Sequence, residues 1–336
     1  MALGSRARAV LAACAALSVL TAFPWIGGEF YVDLVVRLMI LAIFAMSLDL
    51  LIGYTGLVSF GHAAFFGIAG YTLASLTPAA APANLVVVLP AALVASALAA
   101  TVIGYLSLRT AGVGFIMITL AFAQMLYYVA NESRAFGGSD GVLILFRPEL
   151  TLQGRPLLDL EDPTVFYYLV LACLAGVLLL LRSLVRAPFG RVIRAIRIDD
   201  RRTRALGFAT GRYKLASFVI AGTLAGLAGF LEAAHGGYVS PGALSWHQSG
   251  LVMAVVILGG MGTLYGPILG AFAFGLLQDQ VQDWTEHTGL VVGLFVIAMV
   301  LLAPRGLAGL LSGVLSGALS GAPKTRERPA APRGPR

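Results

Sequence analysis

Long uninterrupted apolar stretches alternate with shorter polar segments along most of the chain. A hydrocarbon core about 30 Å thick needs roughly 20 apolar residues for a helix to cross it. The pattern therefore predicts an all-α polytopic membrane protein with about ten transmembrane helices. The candidate spans are Ala9–Trp25, Leu34–Ile52, Phe60–Leu76, Leu85–Leu108, Gly114–Ala130, Val165–Leu181, Leu215–Ala234, Leu251–Thr263, Ile268–Val281 and Thr288–Ala303.

Two other classes of protein conflict with this pattern. The strands of a membrane barrel would alternate apolar and polar residues, whereas stretches such as Ala91–Ile103 are continuously apolar. The composition, 59% hydrophobic and 12% charged residues, excludes a soluble fold. Arg6 and Arg8 before the first stretch also suit a signal peptide. Because the later stretches are equally apolar, we favour an uncleaved first span.

The basic residues are distributed unevenly between the two sides of the predicted bundle. With the N-terminus inside, 19 of the 23 Lys and Arg residues fall on the cytoplasmic side. This asymmetry follows the positive-inside rule, places both termini in the cytoplasm, and accounts for the net charge of +7 without nucleic-acid binding. The exceptions are Arg37, Arg134, Arg147 and Arg155.

We divide the chain into a transmembrane domain, residues 1–320, and a disordered cytoplasmic tail, residues 321–336, which is rich in proline. The domain includes a periplasmic loop, residues 131–164, and a basic cytoplasmic loop, residues 182–214. Apolar residues recur in the basic loop at near-helical spacing and predict a short amphipathic helix beneath the membrane. They are Val192, Ile193, Ile196 and Leu206.

Two glycine-rich segments, Gly53–His62 and Gly259–Pro267, interrupt the apolar pattern at loosely corresponding places in the two halves. Irregular backbone at membrane depth is tolerated where it is buried in protein or lines a watery cavity. Paired interruptions of this kind are typical of a substrate path between two repeats. Each segment is also compatible with a tight turn between spans. Gly222, Gly226 and Gly229, in contrast, suit close helix packing.

A few polar residues lie within the predicted spans, where they are costly in lipid and should face the bundle interior. Asp49 and His62 flank the first glycine-rich segment, so they are candidates for a hydrogen-bonded pair. Asp49 is equally compatible with a solvated position near the inner surface. The remaining residues of this kind are Thr119, Gln124 and Glu232.

The sequence lacks the motifs of the common enzyme classes. The two lysines, Lys214 and Lys324, stand outside any G-x-x-x-x-G-K-[ST] phosphate loop, so this chain cannot hydrolyse ATP alone. The four histidines lack metal-type spacing, and no G-x-S-x-G motif is present. Ser59 and His62 are one helical turn apart, which leaves an intramembrane hydrolase as a weak alternative.

Several motifs together resemble the branched-chain amino-acid ABC-transporter permeases of the LivM type. The resemblance runs from about Leu34 to Leu311. In chain order the motifs are Gly53–Gly67, Met117–Gln124, Gly137–Gly141, Pro188–Arg191 with Ala205–Gly207, Leu258–Pro267 and Ala303–Gly306.

The resemblance implies a type II-like importer permease with two inverted halves in the bacterial inner membrane. It implies three kinds of protein partner besides the lipid bilayer: a second homologous permease, two ATPase subunits and a soluble solute-binding protein. The chain itself would bind no metal or cofactor, because ATP is used by the ATPase subunits. The implied function is translocation of branched-chain amino acids. Urea or short amides, or a self-sufficient secondary transporter, are the alternatives.

The resemblance also assigns roles to individual residues. Candidates for the translocation pathway are Gly53, Tyr54, Gly56, Ser59, Gly61, His62, Thr119 and Gln124. Candidates for coupling to the ATPase, within a helix from Gly190 to Gly207, are Gly190, Arg191, Arg194, Arg197, Asp199, Asp200, Ala205 and Gly207. The loop expected to face the binding protein contains Gly138, Asp140 and Gly141. Ile198 and Arg204 depart from the family pattern, where acidic residues are common, so the expected ATPase partner is a cognate one.

Overall fold

The structure is a computed structural model that describes residues 18–25, 28–78, 81–152, 155–158, 160–282, 284, 287–302 and 306–310. The predictions that involve Arg6, Arg8, the start of the first span and the tail of residues 321–336 lie outside these residues.

Helices dominate the described part of the chain and follow the apolar stretches. Helix α1 is described over residues 18–25. The other apolar helices are α2 (Glu29–Asp49, continued by a π-helical turn, Leu50–Thr55), α3 (His62–Leu76), α4 (Leu85–Ser107), α5 (Val113–Glu132), α6 (Pro163–Arg186), α9 (Thr210–Gly236), α10 (Trp246–Gly259), α11 (Gly266–Gln282) and α12 (Thr288–Leu302).

Among the described residues, five helices are long and apolar enough to cross a membrane, which agrees with a polytopic membrane protein. They are Glu29–Thr55, Leu85–Ser107, Val113–Glu132, Pro163–Arg186 and Thr210–Gly236. Three shorter apolar helices are also present: His62–Leu76, Trp246–Gly259 and Thr288–Met299. The total of ten spans stays a prediction.

Helix α2 forms the centre of the bundle. In the most apolar 18-residue stretch of α2 and its π-helical continuation, 89% of the residues are buried. The corresponding share for α5, at the periphery, is 22%. Helices α6, α9, α10 and α11 pack around α2, and α3 packs between α4 and α9. A helix that is apolar on all sides is stable only when protein or lipid surrounds it, and here protein surrounds α2.

The glycines of α9 allow it to approach α3 and α4 closely. A Cβ atom at Gly222 would lie 2.6 Å from the Cβ of Ala100, and one at Gly226 would lie 2.6 Å from the Cβ of Ser96. A Cβ at Gly229 would overlap the carbonyl group of Phe66. The predicted packing role of these three glycines is confirmed.

The loop between α5 and α6 contains short strands that the all-α prediction did not include. Strand β1 (Val142–Leu143) pairs antiparallel with β4 (Tyr238–Val239), which follows α9. Strands β2 (Leu150–Leu152) and β3 (Arg155–Leu158) pair antiparallel within the loop. These ribbons satisfy backbone groups of a segment that forms no long helix, and the first ribbon attaches the loop to the end of α9.

The basic loop contains two helices rather than one, α7 (Pro188–Ile198) and α8 (Asp200–Ala205). Val192, Ile193 and Ile196 of α7 are buried, as the amphipathic pattern predicts. Leu206 is 78% exposed, so the prediction that it belongs to the apolar face of the amphipathic helix was wrong. The reason is that the Asp199 side chain caps the first turn of α8 and starts a new helix with a different phase.

Candidate functional site at the basic end of the bundle

The two glycine-rich interruptions meet at the end of the bundle where α7 lies. We call the meeting point the glycine junction and define it as Asp49, Gly53, Gly56, Arg197 and Gly262. The Arg197 guanidinium Nη1 donates a hydrogen bond to the Gly53 carbonyl oxygen. The Gly262 amide donates one to Asp49 Oδ1 over 2.7 Å. Helix α7 is thereby joined to the first interruption, and the end of α2, one π-helical turn away from Gly56, is joined to the second.

The junction requires glycine because main chains touch there. Gly262 has a φ of +75°, and a Cβ atom on it would lie 2.9 Å from the Gly53 oxygen and 3.1 Å from Arg197 Nη1. A Cβ on Gly53 would lie 2.7 Å from the Gly262 Cα. Real side chains essentially never tolerate such contacts with backbone atoms, so these positions exclude alanine without movement of the chain.

The helix that begins as α2 widens at its end and presents the Gly53 carbonyl to α7. The segment Leu50–Thr55 is a π-helical turn, a form that is frequent at functional sites. The Thr55 hydroxyl donates to the Leu50 oxygen over 3.0 Å, and Gly56 ends the turn with a left-handed φ of 80°. The Cγ of Arg197 would lie 3.0 Å from a Cβ at Gly56, so α7 packs directly on this turn.

Asp49 is buried, with 2% of its surface exposed. It bonds to the Gly262 amide and not to His62, so both interpretations offered by the sequence, a pair with His62 and a solvated carboxylate, were wrong. A buried carboxylate is costly unless it is hydrogen-bonded or paired. Here the amide of the opposite interruption provides the hydrogen bond.

His62 is fully buried and contacts Ser47, a residue that the sequence did not single out. Its Nε2 lies 2.8 Å from the Ser47 oxygen, and the Ser47 hydroxyl donates to the Phe44 carbonyl over 2.6 Å. Since a serine has one proton to donate, Nε2 must carry the proton of this contact. The ring also stacks on Phe44 with a centroid separation of 5.6 Å.

The proposed hydrolase pair is not formed. Ser59 accepts a hydrogen bond from the Gly61 amide over 3.2 Å, whereas His62 is engaged by Ser47. The serine hydroxyl and the imidazole therefore belong to separate contacts, and a nucleophile requires a base within hydrogen-bond reach.

The other pathway candidates are packed against protein in this conformation. Tyr54 is buried, and a void of about 10 Å³ beside it and Asp49 holds at most one water molecule. Gly61 packs on the backbone of Thr119, whose carbonyl carbon would lie 3.0 Å from an added Cβ. Gln124 is half-buried on α5. The assignment of these residues to a translocation pathway stays a prediction.

The three arginines of α7 that are coupling candidates are all exposed to some extent and differ in their hydrogen bonds. Arg194 binds the Gly190 oxygen within α7 over 3.0 Å and the Val185 oxygen over 3.2 Å, so it satisfies a carbonyl at the end of α6. Arg191 is exposed, and within the described residues its guanidinium makes no hydrogen bond. Arg194 and Arg197 thus hold α7 in place, and Arg191 faces away.

Asp200 anchors α8 to α9. Its carboxylate lies 3.0 Å from Lys214 Nζ and 3.1 Å from Arg204 Nη2. Partial burial acts to raise the pKa of Asp200, but the hydrogen bonds and positive charges of Lys214, Thr210 and Arg204 outweigh it and lower that pKa. Arg204 therefore compensates Asp200 within the chain.

The far side of α8 is exposed and carries apolar side chains among arginines. Ile198 is 86% exposed and Leu206 is 78% exposed, and Phe208 is also exposed. They flank a helix of six residues, about 9 Å long. Ala205 and Gly207 belong to the same surface, and Gly207, at a φ of +90°, ends α8 in the left-handed region.

The loop predicted to face a binding protein lies at the opposite end of the bundle. Gly137, Gly138 and Gly141 all have positive φ values. The Tyr238 hydroxyl donates to the Asp140 carbonyl over 2.6 Å, and Gly141 packs on the backbone of Val239. The glycines therefore let the loop fold tightly onto β4.

A cavity of about 230 Å³ opens beside this loop, and we call it the Glu232 cavity. The sequence analysis identified Glu232 as a polar residue within a predicted span. It did not predict the cavity, because the other lining residues are spread over α3, α9, β4, the turn Pro241–Leu244 and α10 and share no motif. The lining residues are Phe66, Gly70, Gly229, Glu232, Ala233, Tyr238, Val239, Ser240, Gly242, Ala243 and Gln248.

Comparison with known proteins gives consistent matches over most of the chain. Residues 30–304 match the family described as "Branched-chain amino acid transport system / permease component". The chain is 31% identical to the high-affinity branched-chain amino acid transport system permease protein LivM of Salmonella typhimurium strain LT2, over 90% of this chain and 76% of that protein. For LivM of Escherichia coli strain K12 the identity is 30% with the same coverage.

A shorter match includes a permease of a different name. The chain is 27% identical to LivH of Escherichia coli strain K12 over 36% of this chain and 39% of that protein. The comparison with solved structures gives no significant match.

Proposed function

Because the chain belongs to the family of permease components of branched-chain amino-acid transport systems, we propose that it translocates branched-chain amino acids across the bacterial inner membrane. It acts as one permease subunit of an ATP-driven importer. A second homologous permease, two ATPase subunits and a solute-binding protein complete the transporter. The chain lacks a phosphate-binding loop, so its contribution is mechanical and not hydrolytic.

The observation that carries this proposal is the position of α7. One face of this helix is buried against the bundle through Val192, Ile193 and Ile196, and Arg197 binds the Gly53 carbonyl. Ile198 at the end of α7 and the arginines of the adjoining α8 are exposed. A helix attached to the membrane core on one side and exposed on the other suits a connection between a soluble motor and a membrane bundle.

The junction suggests how movement passes through the connection. A displacement of α7 by the ATPase pulls on the Gly53 carbonyl through Arg197. The first interruption is bonded to the second through Asp49 and Gly262, so both interruptions move together. Packed elements of this kind switch between discrete arrangements rather than deform continuously, and the bundle then opens alternately to the two sides.

The exposed segment around α8 also specifies its partner. Ile198, Leu206 and Phe208 require an apolar recess on the ATPase surface, with acidic groups around it for the arginines. Among the coupling candidates, Arg191, Ala205 and Gly207 belong to the docking surface. Arg194, Arg197, Asp199 and Asp200 position that surface through contacts within the chain.

The orientation follows from the basic residues. The α7 end faces the cytoplasm, together with both termini, since 19 of 23 Lys and Arg residues belong to that side. The loop with Gly138, Asp140 and Gly141 then faces the binding protein. Ten spans arranged as two inverted halves complete this architecture, with the interruptions of the halves meeting at the glycine junction.

Reconstitution tests the proposal. The complex that copurifies with the tagged chain is placed in proteoliposomes with ATP inside, and binding protein loaded with radiolabelled leucine is added outside. We expect leucine uptake that requires ATP and disappears when Ile198–Arg204 are deleted. Uptake by the chain alone along an ion gradient would establish a secondary transporter instead. Uptake of urea without leucine would establish the alternative substrate.

A further inference from the structure

The Glu232 cavity lies at the end of the bundle opposite α7. Helix α9 begins at Thr210 beside α8 and places Glu232 22 residues further on, which corresponds to about 33 Å of helix. The cavity is closed on one side by β4, the strand that pairs with β1 of the large loop. It therefore lies at the end of the bundle where a delivered solute arrives under the proposed function.

The polar groups of the cavity are available to a ligand. Within the described part of the chain, no hydrogen bond or salt bridge engages the side chains of Glu232, Ser240 or Gln248. The Tyr238 hydroxyl, in contrast, is used by the Asp140 carbonyl over 2.6 Å. Asp33 lies 3.0 Å from Arg37 and 3.0 Å from His235 Nε2, and the charges of Arg37 and Asp33 both act on Glu232 with opposite signs. Glu232 is thus a carboxylate without a hydrogen-bond partner among the described residues of a membrane-spanning helix, a situation that costs free energy and typically marks function.

The remaining walls of the cavity are apolar and closely packed. Phe66, Val239 and Ala243 line the cavity. A Cβ at Gly70 would lie 3.0 Å from Val239 Cγ2 and 3.3 Å from Ala233 Cβ, so the absence of a side chain there lets these wall elements pack closely. The volume of about 230 Å³ is below the roughly 300–1,000 Å³ of sites for drug-sized ligands. It suits a solute of the size of one amino acid.

We propose that the Glu232 cavity binds a small primary ammonium compound with an apolar side chain, with the Glu232 carboxylate accepting hydrogen bonds from the ammonium group. Gln248 and Ser240 supply donors for the carboxylate of the same solute, and Phe66 and Val239 contact its side chain. The proposal rests on the proposed function and sharpens it, because an ammonium-binding carboxylate favours amino acids over neutral urea.

Cysteine labelling tests the charge preference of the cavity without depending on transport. Ala243→Cys is introduced into the full complex, in which Cys14 and Cys173 are replaced by serine. The labelling rates with cationic and anionic methanethiosulfonates are each divided by the rate with free cysteine. We expect the normalised cation preference to be about fivefold. Glu232→Gln should remove it, whereas Glu132→Gln, at an exposed position on α5, should preserve it.

Protection by ligands identifies the group that is recognised. Leucine and isopentylamine should slow the cationic labelling, and 4-methylpentanoate, which lacks the ammonium group, should not. An unchanged cation preference in Glu232→Gln, or equal protection by the acid and the amine, would overturn the cavity proposal. Since Glu232→Gln preserves the shape of the side chain, the ATPase activity of the complex checks that it is assembled. Failure of leucine uptake by the unaltered complex would instead overturn the proposed function.

Discussion

Glycine contacts occur at both ends of the bundle, but they produce opposite results. At the α7 end, Gly53 and Gly262 bring two main chains together, and the void beside Asp49 and Tyr54 measures about 10 Å³. At the other end, Gly229 also packs on the Phe66 main chain, but it lies with Gly70 in the wall of a cavity of about 230 Å³. Under the proposed function the first arrangement transmits the movement of α7, and the second contains the proposed solute site.

The two regions differ in whether their buried carboxylate is hydrogen-bonded to a main chain. Asp49 has its hydrogen bond from the Gly262 amide, and the Gly53 carbonyl has one from Arg197. These bonds draw the backbones together at the α7 end. Glu232 has no such bond within the described residues, so its carboxylate draws no main chain across the cavity. Glycine content alone therefore does not separate the two regions, whereas the bonding of the nearby carboxylate does.

The largest loss of stability is expected from alanine at the α7 end, in the glycine junction. Gly53→Ala places a Cβ atom against Asp49 and 2.7 Å from the Gly262 Cα. Because backbone atoms cannot rotate away, we expect destabilisation by about 3 kcal/mol or more. The measurement is the unfolding midpoint of the purified chain in a detergent titration.

Gly176→Ala on α6 is the matched control for that substitution. Apart from its own helix and chain neighbours, no atom of the described residues lies within 4 Å of a Cβ added at Gly176, so alanine there should stabilise the helix by about 0.5–1 kcal/mol. Equal unfolding midpoints for the two variants would show that the main chains at the glycine junction do not touch.

A smaller effect is expected when the Asp49 acceptor is removed. Asp49→Ala leaves the buried Gly262 amide without its 2.7 Å hydrogen bond, which should cost about 1–3 kcal/mol. Asp49→Asn keeps an acceptor oxygen and should lose less than the alanine variant. Similar losses in the two variants would mean that the amide contact does not hold the interruptions together. The same titration provides both values.

The smallest loss of stability is expected from alanine in the wall of the Glu232 cavity. Gly70→Ala is tight against side-chain atoms of Val239 and Ala233, at 3.0 Å and 3.3 Å, and reaches the Gly229 oxygen at an ordinary contact distance of 3.6 Å. Those side-chain atoms border a cavity and can shift, so we expect a loss of about 1 kcal/mol or less. A loss as large as that of Gly53→Ala would remove the contrast between the two ends.

The sequence predicted the apolar helices well because continuous apolar stretches have few alternative structures. Leu85–Leu108 became α4, Leu85–Ser107, with one residue of difference. The predicted span Val165–Leu181 was shorter than α6, Pro163–Arg186. Helix α6 continues past the apolar stretch because long basic side chains can extend to water while the backbone stays hydrogen-bonded in the helix.

The glycine junction was only partly predictable. The two interruptions were visible as glycine-rich segments, and Arg197 was a coupling candidate. The bond from Arg197 to Gly53 joins residues 144 positions apart through a backbone carbonyl, and a backbone acceptor leaves no mark in the residue pattern. The Leu206 prediction failed because a helical period was extended across Asp199, where one helix ends and another begins.

The central claim is that Arg197 transmits the movement of α7 to the interruptions, and the ATP-to-leucine ratio of the reconstituted complex tests it most directly. Arg197→Ala should raise the ATP hydrolysed per leucine transported by about tenfold or more while hydrolysis continues, since about 1.4 kcal/mol of lost coupling corresponds to a factor of ten. Arg191→Ala, one of the exposed arginines of the same helix, should instead weaken ATPase association and leave the ratio unchanged in assembled complexes. An unchanged ratio in Arg197→Ala would contradict the account.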